Sequence, residues 1–498
     1  MTSCYFRELQ RYTKSDIENA LKISEEKTNA ILRRLKEYGV VKTTKGDPKD
    51  LSDLLEDTEE ISDVETSGNQ IYYVFCFVGV ITLDGIVFKI YPKYLPSACV
   101  PAKEYKQVMD VLREYNKRKS IVRIYNESDD GHSFNLLAIM LYIMQDYWDN
   151  GLYTNTENII ETNGAGDIIW DRTIDESFVY IQKNRPYYLE LKTRKTKVDD
   201  YDFFKRLHEC ILTEISNELK GTKDESNEDD ISLLELFELE EIELSDEKRD
   251  AFGENEYLLR RIEKELSVQF NTKKQNTLKL LFTYISQNNK FSSTDCLSLF
   301  GTTAFHAVWE DVCSSILDNQ LQKTLQELPL RERLKDPFDR RKNERLIDLI
   351  AKPHWEYIGD DNERNSYSGE TLEPDIISIV DSDQKRFLIF DAKYYVPTIE
   401  KGKSPRNVPG VGDITKQYLY QLAYKEFLST HGITKVTNCF LMPADIEKGV
   451  IDKDSVTIKF LQQVPLVKIQ IRMISAKEAY ELYLSGDTLN VDALELDE

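Results

Sequence analysis

Nothing in this sequence suggests a cross-linked or zinc-built protein. Its seven cysteines (4, 76, 99, 210, 296, 313 and 439) include no C-x-x-C pair, and its five histidines form no H-x-x-x-H. Neither a disulfide framework nor a structural zinc site is encoded. Long apolar runs are missing too. None approaches the ~20 residues needed to cross a bilayer, and the opening MTSCYFRELQRYTK has no apolar signal core, so a cytoplasmic protein without membrane association is expected. A phosphate-cradling loop is likewise absent. Gly402-Lys403-Ser404 has the ending of one, but Pro397 stands where its first glycine should be, and Gly164 and Gly166 lack a third glycine and a following helix. Any nucleotide energy must therefore come from a partner.

Positive charge is scarce overall, with 65 Lys and Arg against 88 Asp and Glu and a formal net charge of -23. The deficit is local. Residues 47–69 hold nine acids and one lysine, and residues 222–250 hold thirteen acids and three bases. Outside these blocks the chain is close to balance and can carry the basic patches that decide phosphate contact. The first block reads as a solvated linker. The second contains ISLLELFELEEIEL, whose leucines predict at least one partly packed helix.

A chain of 498 residues has room for roughly three domains. We expect an α+β multidomain protein: a first unit at 1–46, the acidic linker at 47–69, a middle region of mixed strands and helices at 70–290, and a C-terminal α/β unit at 291–498. The first unit should hold three short helices, one near 4–11, one capped by Ser15 and one capped by Ser24. Its string SDIENALKISEEKTNAILRRLKEYGVVK resembles winged-helix domains. Ten bases against six acids, with Arg33, Arg34 and Lys36 clustered on the last helix, suit either a recognition helix in a major groove or a protein-contact module. In the middle region, IYYVFCFVGVITLDGIVFKIYPKYL (71–95) predicts two strands around a Leu-Asp-Gly turn, buried on both faces because the apolar residues are nearly continuous.

The most informative stretch is EPDIISIVDSDQKRFLIFDAK (373–393). Two apolar runs flank a polar SDQK turn, which predicts a hairpin of buried strands. Folding it about Asp383 sets Asp375 opposite Asp391, with Cβ atoms roughly 5 Å apart. Period two places Lys393 on the face of Asp391. Two carboxylates at that separation repel unless a cation joins them. A hard cation such as Mg²⁺ takes oxygen ligands and keeps several waters, so two carboxylates and a substrate phosphate suffice to hold one. The alternative is a solvated hairpin end with charged residues.

PD followed by D-x-K on the next strand resembles the PD-(D/E)xK nuclease superfamily. In addition, FVGVITLDGIVFKIYPKY, ETNGAGDIIWDRTI, GTTAFHAVWEDVC, PDIISIV…LIFDAKYY and GVGDITKQYLYQLAY occur in the order seen in LlaJI-type restriction endonucleases, which are similar to McrC-type nuclease subunits. This resemblance spans about 70–445. It implies a restriction-endonuclease-like core that hydrolyses phosphodiester bonds of double-stranded DNA in a bacterial restriction and antiphage system. It also implies Mg²⁺ as cofactor, with Mn²⁺ able to substitute, and a separate McrB-like AAA+ GTPase subunit.

By the same resemblance Asp375 and Asp391 bind metal and Lys393 positions or helps deprotonate the attacking water. An acid on the preceding helix, 304–317, completes the metal sphere. The family's WE position falls on Glu310, although periodicity alone does not separate it from Asp311. A glutamine on the helix of GDITKQYLYQLAYKEF, which we expect Asp413 to cap, orients water or phosphate. Gln417 and Gln421 lie one turn apart and fit equally. The run RERLKDPFDRRKNERL (331–346), including Arg331, Arg333, Arg340, Arg341 and Arg345, suits phosphate contacts or an exposed helix laced with salt bridges. The run RPYYLELKTRKTK (185–197) is a weaker candidate of the same kind. Two other readings stay open: a nuclease-fold subunit that mainly stimulates a motor partner, and a winged-helix DNA-binding regulator. Oligomeric state, a homo-oligomer included, the recognition sequence and any requirement for methylation are not encoded legibly.

Overall fold

A computed structural model describes residues 2–45, 71–96, 102–119, 136–199, 201–223, 230–286, 297–357, 364–367, 369–381, 385–399, 402, 404–451, 454–458 and 467–496. The expected acidic linker and the residues 382–384 at the hairpin turn lie outside the described residues.

The chain begins with a strand, β1 (Thr2–Arg7), where the sequence reading expects a helix. Cys4 and Phe6 alternate into the core, and β1 runs parallel to β6 (Ile86–Tyr91) from Thr2 opposite Ile86 to Arg7 opposite Tyr91. The partner strand lies some eighty residues away, so no local pattern could announce the pairing. Two helices follow, α1 (Lys14–Leu21) and α2 (Glu25–Glu37). Thr13, not Ser15, caps α1, in a reciprocal arrangement with Asp16, and Ser24 precedes α2 as expected. Strands β2 (Arg11–Tyr12) and β3 (Val41–Lys45) flank β4 (Ile71–Phe75) in a three-stranded sheet. Ile17, Leu21, Ile31, Leu32 and Leu35 from the helices share one core with Phe75, Ile81, Phe88 and Ile90. The first 45 residues are thus not packed apart from residues 71–91.

The expected hairpin at 71–95 forms β5 (Val78–Leu83) and β6, joined by Asp84 and Gly85, both at positive φ. Both strands are buried throughout. The sheet order is β1-β6-β5-β7, where β7 (Leu297–Thr302) pairs antiparallel with β5. The boundary expected at 290/291 is therefore bridged, because a strand assigned to the last domain completes a sheet of the middle one. Gly79 and Gly301 face each other across this pair, and a Cβ on Gly79 would lie 2.1 Å from the Phe300 carbonyl oxygen. Only glycine permits that approach. Helices Ala102–Lys119, Leu136–Asn150, Phe203–Lys220, Asn255–Val268 and Thr272–Ser286 fill the middle region. Within the acidic stretch Leu233–Leu236 forms a helical turn whose three leucines are buried. Among the described residues no helix is long and apolar enough to cross a membrane.

Strands β8 (Ile376–Asp381), β9 (Lys385–Ala392), β10 (Lys435–Ala444) and β11 (Ile469–Ser475) lie in that order in the six-stranded C-terminal sheet, where the short strands Val450–Ile451 and Ser455–Val456 both pair with β11. β8 is antiparallel to β9, whereas β9, β10 and β11 are parallel. Helices cover both faces. On one side Ile376, Leu388 and Phe390 meet Trp309 and Val312 of α3 (Phe305–Ile316) and Tyr480 of α5 (Ala476–Ser485), in the core that also holds the middle-region helices. On the other, Ile377, Ile379, Phe387 and Ile389 meet Tyr420 of α4 (Val411–Ala423) and apolar residues of 321–350. Burial on both faces explains why these strands read as continuous apolar runs.

Candidate active site

The observed register of the hairpin, Ile376 opposite Phe390 and Asp381 opposite Lys385, is centred on 383. It brings Asp375 and Asp391 together at the open end. Asp375 Oδ2 accepts a 3.0 Å hydrogen bond from the Ala392 amide. Burial, the Asp391 carboxylate and then Glu310 push the Asp375 carboxyl up to about 8, against the lowering pull of Lys393. Asp391 is 4% exposed. Lys393 Nζ forms an ion pair with its Oδ1 at 2.9 Å, and among the described residues that buried oxygen has no other partner. Lys393 Nζ is also 3.4 Å from Asp413 Oδ1. Burial opposes the ammonium charge, but Asp391, Asp413 and Asp375 together outweigh it and hold Lys393 above its ordinary range.

Two anchors that the sequence did not reveal fix this hairpin end. The amide side chain of Asn319 donates to the Asp375 carbonyl at 2.7 Å and accepts from the Ile377 amide at 3.1 Å. Gln320 donates its backbone amide to the Ile377 carbonyl at 2.8 Å, and its side chain accepts from the Ile379 amide at 3.1 Å. Polar residues just past a predicted helix were the only available signal. On the inner side, the Leu441 carbonyl accepts from the Lys393 amide at 2.9 Å and from Trp309 Nε1 at 3.2 Å. One carbonyl thus sets both the lysine strand and α3.

The structure separates the alternatives that spacing left open. Asp311 accepts a 2.7 Å hydrogen bond from Tyr483 of α5, whereas Glu310 acts on the charge of Asp375. Asp413 is not the cap of α4. It lies in the first turn, its carboxylate accepts from the Gly410 amide at 3.2 Å, and it faces Lys393. Gln421 accepts from Asn438 Nδ2 at 3.2 Å and from the Val467 amide at 3.3 Å. Gln417, one turn after Asp413, is fully buried and among the described residues neither atom of its amide has a hydrogen-bond partner. An unmet buried amide costs ~1–3 kcal/mol. We predict that Gln417→Leu raises the denaturant midpoint of the ligand-free protein by the equivalent of about 1 kcal/mol and that Gln421→Ala lowers it by a similar amount. The reverse order in chemical unfolding would mean that their packing roles are exchanged.

The DNA-contact candidates are largely engaged within the protein. On α2, Arg34 lies 3.2 Å from Asp84, Lys36 Nζ is 5.2 Å from the ring centre of Tyr73, and Arg33 stands outward, 3.9 Å from Glu37. The run 331–346 is irregular, not a continuous helix, with a short turn at Phe338–Arg341. There Arg340 pairs with Asp336 at 3.2 Å, Arg341 with Glu344 at 2.7 Å and Arg345 with Asp348 at 2.9 Å. Salt bridges lace this segment, although the expected helix does not form.

Among the described residues no three His, Cys, Asp or Glu side chains are arranged to hold a metal ion by themselves. The Asp375–Asp391 pair nonetheless fits a hard divalent cation that keeps most of its ligands as water or phosphate. It offers carboxylate oxygens only, and its mutual repulsion is of the kind a cation relieves.

A mixed sheet covered by helices, with paired acids and a lysine at a strand end, defines a mixed α/β protein with a carboxylate site. The chain belongs to the LlaJI restriction endonuclease family, whose family model matches residues 77–477. It is similar to the type II restriction enzyme BsuMI component YdjA of Bacillus subtilis (strain 168), with 28% identity over 436 residues, 84% of this chain and 83% of that protein. Among solved structures it is similar to McrB AAA+ hexamers of Thermococcus gammatolerans with bound McrC, in a half-complex of their tetradecameric assembly. The identity is 12% and the TM-score 0.36, over 97% of this chain and 99% of that one. For the Thermococcus gammatolerans McrBC complex the identity is 12% and the TM-score 0.20, over 57% and 80%.

Proposed function

We propose that this chain is the nuclease subunit of a DNA restriction system, hydrolysing phosphodiester bonds of double-stranded DNA with Mg²⁺ or Mn²⁺. The observation that carries this reading is the register-paired Asp375 and Asp391 with Lys393 at 2.9 Å. Asp375 and Asp391 would hold the cation, with Glu310 near enough to act on the charge of Asp375. When bound, the ion supplies Lewis-acid polarisation of a phosphoryl oxygen and acidifies a water.

Asp391 and Asp413 favour the charged form of Lys393. Its ammonium donates hydrogen bonds and offsets the negative charge that builds on the scissile phosphate. Asp413 holds that ammonium in place from α4. Gln417 supplies an unoccupied amide, one turn further along, that can orient phosphate or water. Membership in a restriction family, together with the missing phosphate loop, supports a separate AAA+ GTPase as the source of nucleotide-driven movement along DNA.

The test is cleavage of methylated and unmethylated DNA by the purified chain with EDTA, with Mg²⁺, and with Mg²⁺, GTP and the co-encoded nucleotide-hydrolysing protein. Cutting is expected only in the Mg²⁺ arms. Cutting in EDTA, or none with the complete set, would reject the reading. Cutting only when the partner is present would favour a subunit whose chemistry depends on its motor.

A further inference from the structure

The strand that carries Lys393 continues into the N-terminal part of the molecule. Tyr394, the next residue, is buried, and its hydroxyl donates a 2.5 Å hydrogen bond to Glu8 Oε2. The same carboxylate oxygen accepts from the Lys93 amide at 3.1 Å, and that amide lies 3.3 Å from the Tyr394 hydroxyl. The Lys93 ammonium sits 4.3 Å from the centre of the Tyr394 ring and 5.9 Å from that of Tyr395. Arg7 closes the group by donating to the Lys93 carbonyl. Glu8 and Lys93 are both buried, so burial pushes the carboxyl up and the ammonium down. Tyr394 also packs against Phe305 in the first turn of α3, at 5.1 Å between ring centres.

A buried acid and a buried lysine are costly, and a hydrophobic contact would bind the two halves more cheaply. What the polar cluster adds is direction. A hydroxyl, a carboxylate and an amide locked in one geometry fix where the end of β9 stands, and one residue earlier the chain places the ammonium. The same ring abuts the start of the helix that bears Glu310. Resting on the nuclease reading of Asp375, Asp391 and Lys393, we propose that Glu8 and Lys93 are positioning residues for the cleavage site, acting through Tyr394. The N-terminal unit is then part of the nuclease and not an appended reader of DNA. These residues touch neither the substrate nor the cation. They hold the lysine at the distance from Asp391 that the chemistry uses.

The experiment compares Tyr394→Phe, Glu8→Ala, Glu8→Gln and the double variant Glu8→Ala/Tyr394→Phe in the full chain with its partner. Two readouts are taken: steady-state DNA cleavage, and hydrogen exchange of the peptide spanning 391–395. Tyr394→Phe and Glu8→Ala should each lower kcat roughly 10–100-fold, the usual size for an outer-sphere support, with little change in KM for DNA. Both should speed exchange in 391–395 while leaving β10 and β11 protected. Glu8→Gln, which keeps an acceptor for the hydroxyl and the Lys93 amide, should restore most of kcat. The double variant should be no worse than either single variant, since both cut one path. Unchanged exchange at 391–395 in both single variants would overturn the proposal whether or not the wild type cuts. Loss of kcat in proportion to lost thermal stability, unrescued by glutamine, would overturn it as well. A wild type that never cuts would refute the nuclease reading alone, and the exchange result would still decide whether the N-terminal cluster orders the strand.

Discussion

Asp391→Asn is expected to abolish DNA cleavage while making the metal-free protein more stable. The substitution keeps shape and volume but removes one of the two charges facing each other at the hairpin end. Without it the cation loses a ligand and Lys393 loses its nearest acidic partner, keeping Asp413 at 3.4 Å and the influence of Asp375. Loss of a group that acts through a bound cation and an ordered ammonium should cost at least ~4 kcal/mol of barrier, or about 10³-fold in rate. The folded state, however, gains. Asp375 no longer meets a neighbouring charge, so part of what pushes its carboxyl up is gone. The melting temperature in EDTA at pH 8 should rise by a few °C and DNA binding should persist. Wild-type cleavage by this variant, or a lower EDTA melting temperature with otherwise normal folding, would contradict the assignment.

The second large effect is a dependence of stability on pH that divalent ions erase. An unfolded aspartate ionises near pH 4, whereas burial and the Asp391 carboxylate keep the folded Asp375 protonated up to about 8. Between those values the native state holds a proton that the unfolded state has released. Stability therefore falls as pH rises through this window, by up to roughly 1.4 kcal/mol per pH unit for a single group. The sign is opposite to that of an ordinary salt-bridged carboxylate. In EDTA the wild type should melt lower at pH 7.5 than at pH 5.5, and Asp375→Asn should flatten that difference. Millimolar Mg²⁺ should raise the wild-type melting temperature at pH 7.5 and leave Asp375→Asn nearly unmoved, since only the ionised pair attracts the ion. Equal Mg²⁺ shifts in both proteins would place the cation elsewhere.

The hairpin and its register were legible because both rest on local information. Apolar runs of matched length about a polar turn leave only one register that buries them. The buried β5–β6 pair and the α3 stripe were readable for the same reason. What escaped depends on distant partners. The segment 4–11 has enough polar residues to suggest a helix, and it becomes a strand because β6 offers an edge for Cys4 and Phe6. Glu310 and Asp311 are adjacent and chemically alike, and the contacts that tell them apart come from far along the chain, such as the hydrogen bond to Asp311 from Tyr483, 172 residues away. Gln417 and Gln421 differ because Asn438 and Val467 happen to sit beside one of them. The role of Asp413 was read as helix capping, since no pattern links it to Lys393 before the sheet is assembled.

The amides of Asn319 and Gln320 have a consequence for self-association. β8 is an outermost strand, and such a rim is where a second molecule, or a misfolded neighbour, would normally add itself through main-chain bonds. Here the outward groups of Ile377 and Ile379 are already taken by two side chains and one amide from the same molecule. Copies of this protein cannot zip together along that border. Any assembly of copies must form through other faces.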